Sequence, residues 1–268
     1  MRLKTPKEVN LVGSGWTLKK IVQWVETSFS RSVSRNTVRN ILKQNGLSWK
    51  KCKKLLAKAN PEKRAAFIEQ FQAMYQEMCA EKATIIYIDE SHFHQDLDLG
   101  YSWSVKGKPH WIKSSSPGLS AKVNWYGAYN FATGRCFLWQ RGNCNSEQTS
   151  AFLEALVNWL AVENQTIYVI LDGAPWHRSH QVKMKAEKMN INLVQLPGYS
   201  PDLNPIEGLW KWMREEVTQL CCHANVQALK DDCLRFIDRI NLEPDQVIKR
   251  LWPKFELDPD YEKLLFSN

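Results

Sequence analysis

Apolar positions recur at three- and four-residue intervals over roughly the first eighty residues and then shift to short unbroken runs, so two kinds of structure follow one another along the chain. Leu18, Ile21, Val22 and Val25 fall at i, i+3, i+4 and i+7, and Thr17 stands where an N-cap belongs, which predicts a helix over 17–27. Ser34 can cap a second helix over Arg35–Gln44, whose Val38, Ile41 and Leu42 form one stripe and which Gly46 stops. A third helix is expected over 61–80: Asn60-Pro61 opens it, and Phe67, Phe71, Met74 and Met78 repeat at helical spacing as core. From residue 83 strands alternate with helices. Ala83–Ile88, Tyr101–Val105, Trp125–Phe131, Cys136–Trp139, Thr166–Leu171 and Ile191–Gln195 read as strands, and Ser146–Val162, Gln181–Met189 and Pro205–Gln219 as helices. That order predicts a mixed α/β sheet flanked by helices, preceded by a small all-α unit, and a helical C-terminal stretch.

Charge sharpens the division. The net charge is +8, yet residues 1–60 hold 14 Lys/Arg against Glu8 and Glu26, while the remaining 208 residues carry a net −4. A basic block on a mildly acidic body suits a nucleic-acid-binding arm, since Lys/Arg contacts to phosphate release counterions; a solvated basic face would show the same count. No window approaches the roughly 20 apolar residues of a membrane span, and no secretory leader is legible, so a cytoplasmic protein without a membrane partner is expected. The seven cysteines are odd in number, scattered and free of any C-x-x-C pair, which argues against a disulfide framework or a zinc site.

The first two helices are separated only by Ser28–Val33, a spacing that fits a helix-turn-helix as well as a plain helical hairpin. The second presents Arg35, Asn36, Arg39, Asn40 and Lys43 on its polar face, and Arg and Asn are the side chains that pair bidentately with guanine and adenine edges. Lys50, Lys51, Lys53 and Lys54 follow as a strip suited to the phosphate backbone. Double-stranded DNA is the expected partner.

Two apolar strands, Ile85-Ile86-Tyr87-Ile88 and Tyr168-Val169-Ile170-Leu171, each run into an aspartate, Asp89 and Asp172. Adjacent strands ending this way would bring both carboxylates to one crevice. Glu207 stands in the first turn of the helix after the Pro197–Pro205 loop. Three carboxylates suit Mg²⁺, which prefers oxygen ligands, and two such ions can activate the attacking oxygen and stabilise the leaving oxygen of a phosphoryl displacement. Each acid has a plainer reading. Asp172-Gly173 is a common turn-former, Asn204-Pro205-Ile206-Glu207 an ordinary helix start with Asn204 as N-cap, and Glu90 and Asp96 compete with Asp89. His177 could orient a phosphate or water near Asp172, but a lone loop histidine reads first as a satisfied structural residue.

Three segments, Tyr87-Ile88-Asp89-Glu90-Ser91-His92-Phe93, Leu171-Asp172-Gly173-Ala174-Pro175-Trp176-His177 and Leu196-Pro197-Gly198-Tyr199-Ser200-Pro201-Asp202-Leu203-Asn204-Pro205-Ile206-Glu207, resemble the mariner-like transposases and their bacterial insertion-sequence relatives, whose catalytic domain is a DDE endonuclease. Thirty-four residues separate Asp172 from Glu207, the spacing that family uses between its second and third acids. The resemblance implies an RNase H-like fold over 83–220, behind a helix-turn-helix domain over 1–58 and a connecting helix over 59–82, with a C-terminal helical extension over 221–268. It also implies Asp89, Asp172 and Glu207 as catalytic metal ligands for Mg²⁺ or Mn²⁺, as two ions. The implied activity is cleavage at transposon ends and transfer of the freed 3′-OH into target DNA, usually at TA dinucleotides. Terminal inverted repeats and target DNA would be the partners, a homodimer the working form, and the bacterial nucleoid its place. Two departures stand out: relatives commonly carry two helix-turn-helix units where one fits here, and Asn where Gly173 stands. The first leaves an alternative, a truncated DNA-binding remnant or repressor that occupies element ends without cutting.

Overall fold

A computed structural model of the chain describes residues 4–49, 60–140, 142–162, 164–253 and 255. Contacts divide the chain into two units, Met1–Leu55 and Leu56–Asn268. In the first, a 3-10 turn at Pro6–Val9 precedes α1 (Leu18–Phe29) and α2 (Arg35–Gln44). Thr17 Oγ1 accepts the Lys20 amide at 3.3 Å and Ser34 Oγ the Thr37 amide at 3.0 Å, so both helix starts are capped as their sequences predict. Gly46, at φ +75°, carries the chain out of α2 while the Leu47 amide closes back on Leu42 O at 2.9 Å. Trp24 meets Trp16 and Phe29 edge-on, at 6.0 and 5.5 Å between centroids, and Val38 is the buried residue of α2. Lys50, Lys51, Lys53 and Lys54 lie outside the described residues.

The second unit opens with α3 (Pro61–Cys79), capped by Asn60, whose Oδ1 accepts the Lys63 amide at 3.0 Å. There follow β1 (Ala83–His94), β2 (Lys122–Asn130), β3 (Cys136–Gln140), α4 (Ser146–Leu160), β4 (Thr166–Leu171), α5 (His180–Lys188), β5 (Ile191–Gln195), α6 (Ile206–Met213), a π-helical turn at Arg214–Thr218, α7 (Val226–Ile240) and α8 (Pro244–Arg250). The five strands form one mixed sheet in the order β3-β2-β1-β4-β5. The β3, β2 and β1 strands are antiparallel, whereas β1, β4 and β5 are parallel.

Strand side chains alternate between faces, and both faces are covered. Ile85, Tyr87, Phe93, Trp125, Tyr129 and Ile170 pack on one side with Phe67, Phe71 and Met74 of α3 and with α6, α7 and α8. Ile86, Ile88, Tyr126, Ala128, Val169 and Leu171 pack on the other with α4 and α5. Among the described residues no helix is long and apolar enough to cross a membrane.

Three sequence expectations are corrected. The first strand does not end at Ile88: it loses its parallel neighbour after the Tyr87–Ile170 pair but stays zipped to β2 out to His94–Lys122, so Asp89 lies within it. Tyr101–Val105 is not a strand. The Tyr-Ser-Trp-Ser-Val alternation has a strand's period, but β2 and β4 already occupy both edges of β1, and Tyr101 and Trp103 stand fully exposed. The helix expected over 205–219 is α6 plus the π turn, and Asn204 does not cap it; Asn204 is extended and buried, and its Oδ1 makes no hydrogen bond.

Gly127 of β2 pairs with Asp89 across the sheet, and a Cβ there would come within 2.4 Å of Trp210 Cη2 from α6. The bare backbone is what lets α6 approach the strand that carries Asp89. Gly127→Ala is expected to destabilise the chain by about 1–3 kcal/mol through forced displacement of the Trp210 ring, read as a lower urea midpoint.

Candidate active site

The register of the two central strands decides where the acids meet. Tyr87 and Ile170 form the last pair of the two strands, and Asp89 and Asp172 each follow two residues beyond it, on the face shared by Tyr87 and Ile170. The first turn of α6, packed on that face through Ile206, Leu209 and Trp210, brings Glu207 to the same place. The Leu196–Pro205 loop that delivers it is tied down by Asp202, whose carboxylate pairs with the buried guanidinium of Arg64 in α3 at 2.7 Å.

Trp210 Nε1 donates to Asp89 Oδ2 at 3.0 Å. Even so, burial first, and then Glu207 and Glu90, push the Asp89 carboxyl up to about 7. Glu207 is likewise raised, by partial burial and by Asp172, with Arg214 opposing. Asp172 goes the other way: it is held below the usual carboxylate range by hydrogen bonds from His177 and the Ala174 amide, against the effect of burial. Two aspartates at one crevice therefore differ in their hold on a proton, a recurrent mark of functional carboxylate pairs.

His177 is buried, and each ring nitrogen meets a carboxylate: Nδ1 to Asp172 Oδ1 at 2.8 Å and Nε2 to Glu90 Oε1 at 2.9 Å. Burial pulls its pKa down, but these two bonds prevail and carry it up to about 10. Trp176 Nε1 also donates to Glu90 Oε1, at 3.2 Å. His177 is thus joined to the acid cluster itself. Arg214, which the sequence reading passed over, ties the end of β1 to the π turn: Nη2 donates to Ser91 Oγ at 2.9 Å and His92 O at 3.0 Å, and the guanidinium lies 4.5 Å from the Phe93 ring centroid. Neither Glu90 nor Arg214 carries a sequence signal that separates it from ordinary surface charge. Asn204 lies three residues before Glu207, and its buried Oδ1 has no hydrogen-bond partner among the described residues.

The donor set fits a hard divalent cation. It is all oxygen, and the mutual repulsion that raises Asp89 and Glu207 is what a positive ion would relieve. Among the described residues no three of the acidic, histidine or cysteine side chains are drawn up to a common point as around a bound ion. A groove of about 1050 Å³ runs from Asp172 and His177 along β5, lined by Arg178, Lys183, Asn192 and Gln195. In the first unit Arg35, Asn36, Arg39, Asn40 and Lys43 are all exposed on α2.

The raised Asp89 has a stability consequence. Its folded pKa, about 7, lies above its ordinary value of 3.8, so the native state binds the proton more tightly and metal-free stability falls as pH rises between these values. Asp89→Asn removes the charge and keeps the shape. It is expected to raise the metal-free melting temperature by several degrees at pH 8 and to leave it unchanged near pH 4.

Residues 84–230 match the family model described as DDE superfamily endonuclease, and residues 13–71 that of a winged helix-turn helix. The chain is 23% identical over 221 residues to a 39 kDa protein of insertion element IS630 from Shigella sonnei, covering 80% of this chain but 62% of that one. It is 24% identical over 257 residues to the transposable element Tc3 transposase of Caenorhabditis elegans, covering 93% and 75%. Its fold superimposes on the Mos1 strand transfer complex with a TM-score of 0.67 at 18% identity, over 94% of this chain and 74% of that chain, and on the Mos1 catalytic domain with a TM-score of 0.50 at 15% identity, over 82% and 97%. The mixed sheet and its helices are the RNase H-like fold expected from the three motifs, and the chain, similar to these insertion-element and transposase relatives, belongs to the DDE superfamily endonucleases.

Proposed function

We propose that this chain is a DNA transposase: it cuts at the ends of its element with a divalent metal and joins the freed 3′-OH to target DNA. One observation supports the reading: Asp89 and Asp172 each follow two residues after the last parallel pair of β1 and β4, and Glu207 at the start of α6 is close enough to feel the charge of both. Asp89, Asp172 and Glu207 are the proposed metal ligands. Mg²⁺ or Mn²⁺ held there, as two ions, would supply an activated nucleophile and neutralise charge gathering on the transferred phosphoryl group. Solved Mos1 paired-end complexes contain Mg and Mn, which supports the choice of ion for this fold.

The chain's own residues divide the remaining work. Trp210 holds Asp89 in place, Arg214 lowers the charge burden on Glu207, and Arg178 and Lys183 line the groove beside Asp172 along which a phosphate backbone can approach. The basic face of α2 binds the terminal inverted repeats, with Arg35, Asn36, Arg39, Asn40 and Lys43 at base edges and phosphates and Lys50, Lys51, Lys53 and Lys54 continuing along the backbone. Domain limits follow as 1–58 for end recognition, 59–82 for the connecting helix, 83–220 for chemistry and 221–268 for the C-terminal extension. A homodimer brings two ends together, with TA dinucleotides as the target and the bacterial nucleoid as the setting.

The test is Mn²⁺-dependent cleavage of labelled duplex carrying the element's own end. Wild type is expected to cut at the end, and Asp89→Asn, Asp172→Asn and Glu207→Gln to fall to background while still binding. Binding without cutting by folded wild-type protein would favour the non-cutting remnant. For end recognition, Arg39→Ala is expected to cost about 1–3 kcal/mol of end binding and to relax the base preference at one position, measured by competition against scrambled duplex at fixed salt.

A further inference from the structure

Glu90 and Asp89 are neighbours in β1, so their side chains leave opposite faces of the sheet. Asp89 turns to the α6 side, where Trp210 holds it. Glu90 turns to the other side, where Oε1 accepts from both His177 Nε2 and Trp176 Nε1, at 2.9 and 3.2 Å. The far nitrogen of His177 lies 2.8 Å from Asp172 Oδ1, which also accepts the Ala174 amide at 2.9 Å. A buried imidazole between two carboxylates can satisfy both only by donating from both nitrogens. The result is a continuous link, Glu90 to His177 to Asp172, that occupies one oxygen of Asp172 with two donors. The Asp172 side chain is half-exposed, whereas that of His177 is almost fully enclosed, so the rigid end of the link is the protein and the presented end is the carboxylate.

We propose that Glu90 and His177 are positioning residues which lock the Asp172 carboxylate through Oδ1 and leave Oδ2 alone to face the divalent cation. Resting on the metal site proposed above, the assignment also removes Glu90 from the ligand set, although it is the acid next to Asp89 in sequence. Groups that orient a ligand in this way act through geometry, and losing one weakens metal binding about 10–100-fold without abolishing it.

Mn²⁺ binding is measured directly on the full chain, by the electron paramagnetic resonance signal of free Mn²⁺, so that no cleavage is needed. His177→Ala is expected to weaken binding about 10–100-fold. Glu90→Gln keeps an oxygen that accepts from both His177 and Trp176, and is expected to stay within a few-fold of wild type. The double variant His177→Phe/Glu90→Gln keeps the ring volume and leaves no buried unpaired charge, which guards against loss of the fold. It is expected to match His177→Ala, because both break one link and the effects do not add. Unchanged affinity in folded His177→Ala and in the double variant would overturn the proposal. So would loss of binding in Glu90→Gln as complete as in Asp89→Asn, which would make Glu90 a ligand. If instead Asp89→Asn and Asp172→Asn bind Mn²⁺ like wild type, the metal site itself is wrong.

Discussion

The parallel pairing of β1 with β4 runs up to a crevice of carboxylates in which Glu207 and Glu90 repel Asp89 and Asp172 repels Glu207, and much of the catalytic unit can be read as the means of sustaining that arrangement. A strand pair left to itself would relieve the repulsion by fraying at its ends. Here β1 cannot fray, because it continues past Asp89 for five more residues zipped to β2, and Arg214 fastens its far end to the π turn. β4 ends at Leu171, but the turn beyond it is closed by the Ala174 amide and His177 on Asp172. The unfavourable charge is thus confined to side chains whose backbones have little freedom to move apart.

The two-residue period of β1 separates two acids that are adjacent in sequence into different jobs. On the α6 face, Asp89 accepts from neutral donors only, the indole of Trp210 and the Glu90 backbone, and has repulsive carboxylates around it. On the α5 face, Glu90 has a cationic partner and a second indole. The same residue type is destabilised on one side and satisfied on the other, and a one-residue slip in register would exchange the roles. Gly127 belongs to the same constraint: opposite Asp89, on the face that Trp210 must approach, it removes the side chain that would stand in the way.

Much of this was legible in the chain before any coordinates. Strands announced themselves as β-branched runs, and the caps at Thr17, Ser34 and Asn60 formed as their side-chain chemistry predicts, because these are local signals. The acids were found because strand ends and a helix start concentrate chemistry at predictable points. What the sequence misread depended on partners far away in the chain. The stretch Tyr101–Val105 has a strand's alternation but pairs with none of the five strands and stands exposed, and Asn204-Pro205 looks like a cap although Asn204 is extended and buried instead. Arg214 escaped, and the link from Glu90 through His177 to Asp172 was not foreseen although both residues were weighed, for a related reason. Their importance lies in bonds spanning 87 and 122 or more residues, and nothing local distinguishes them from ordinary charged positions.

Charge is also distributed between the two units in a way that follows from what each would have to do. A carboxylate cluster repels the polyanion it is proposed to cut, so an enzyme built around one needs its affinity to come from elsewhere. In this chain the first 60 residues carry a net +12, more than the whole molecule's +8. Under the proposed function, counterion release at that basic unit would supply attraction that is strong and indifferent to the chemistry. The acids would then be free to be arranged for the metal, while His177 and Arg214 are committed to carboxylates and backbone. Affinity and catalysis would thereby be separated along the chain, in keeping with a basic helical segment and a mildly acidic body in one sequence whose overall charge describes neither.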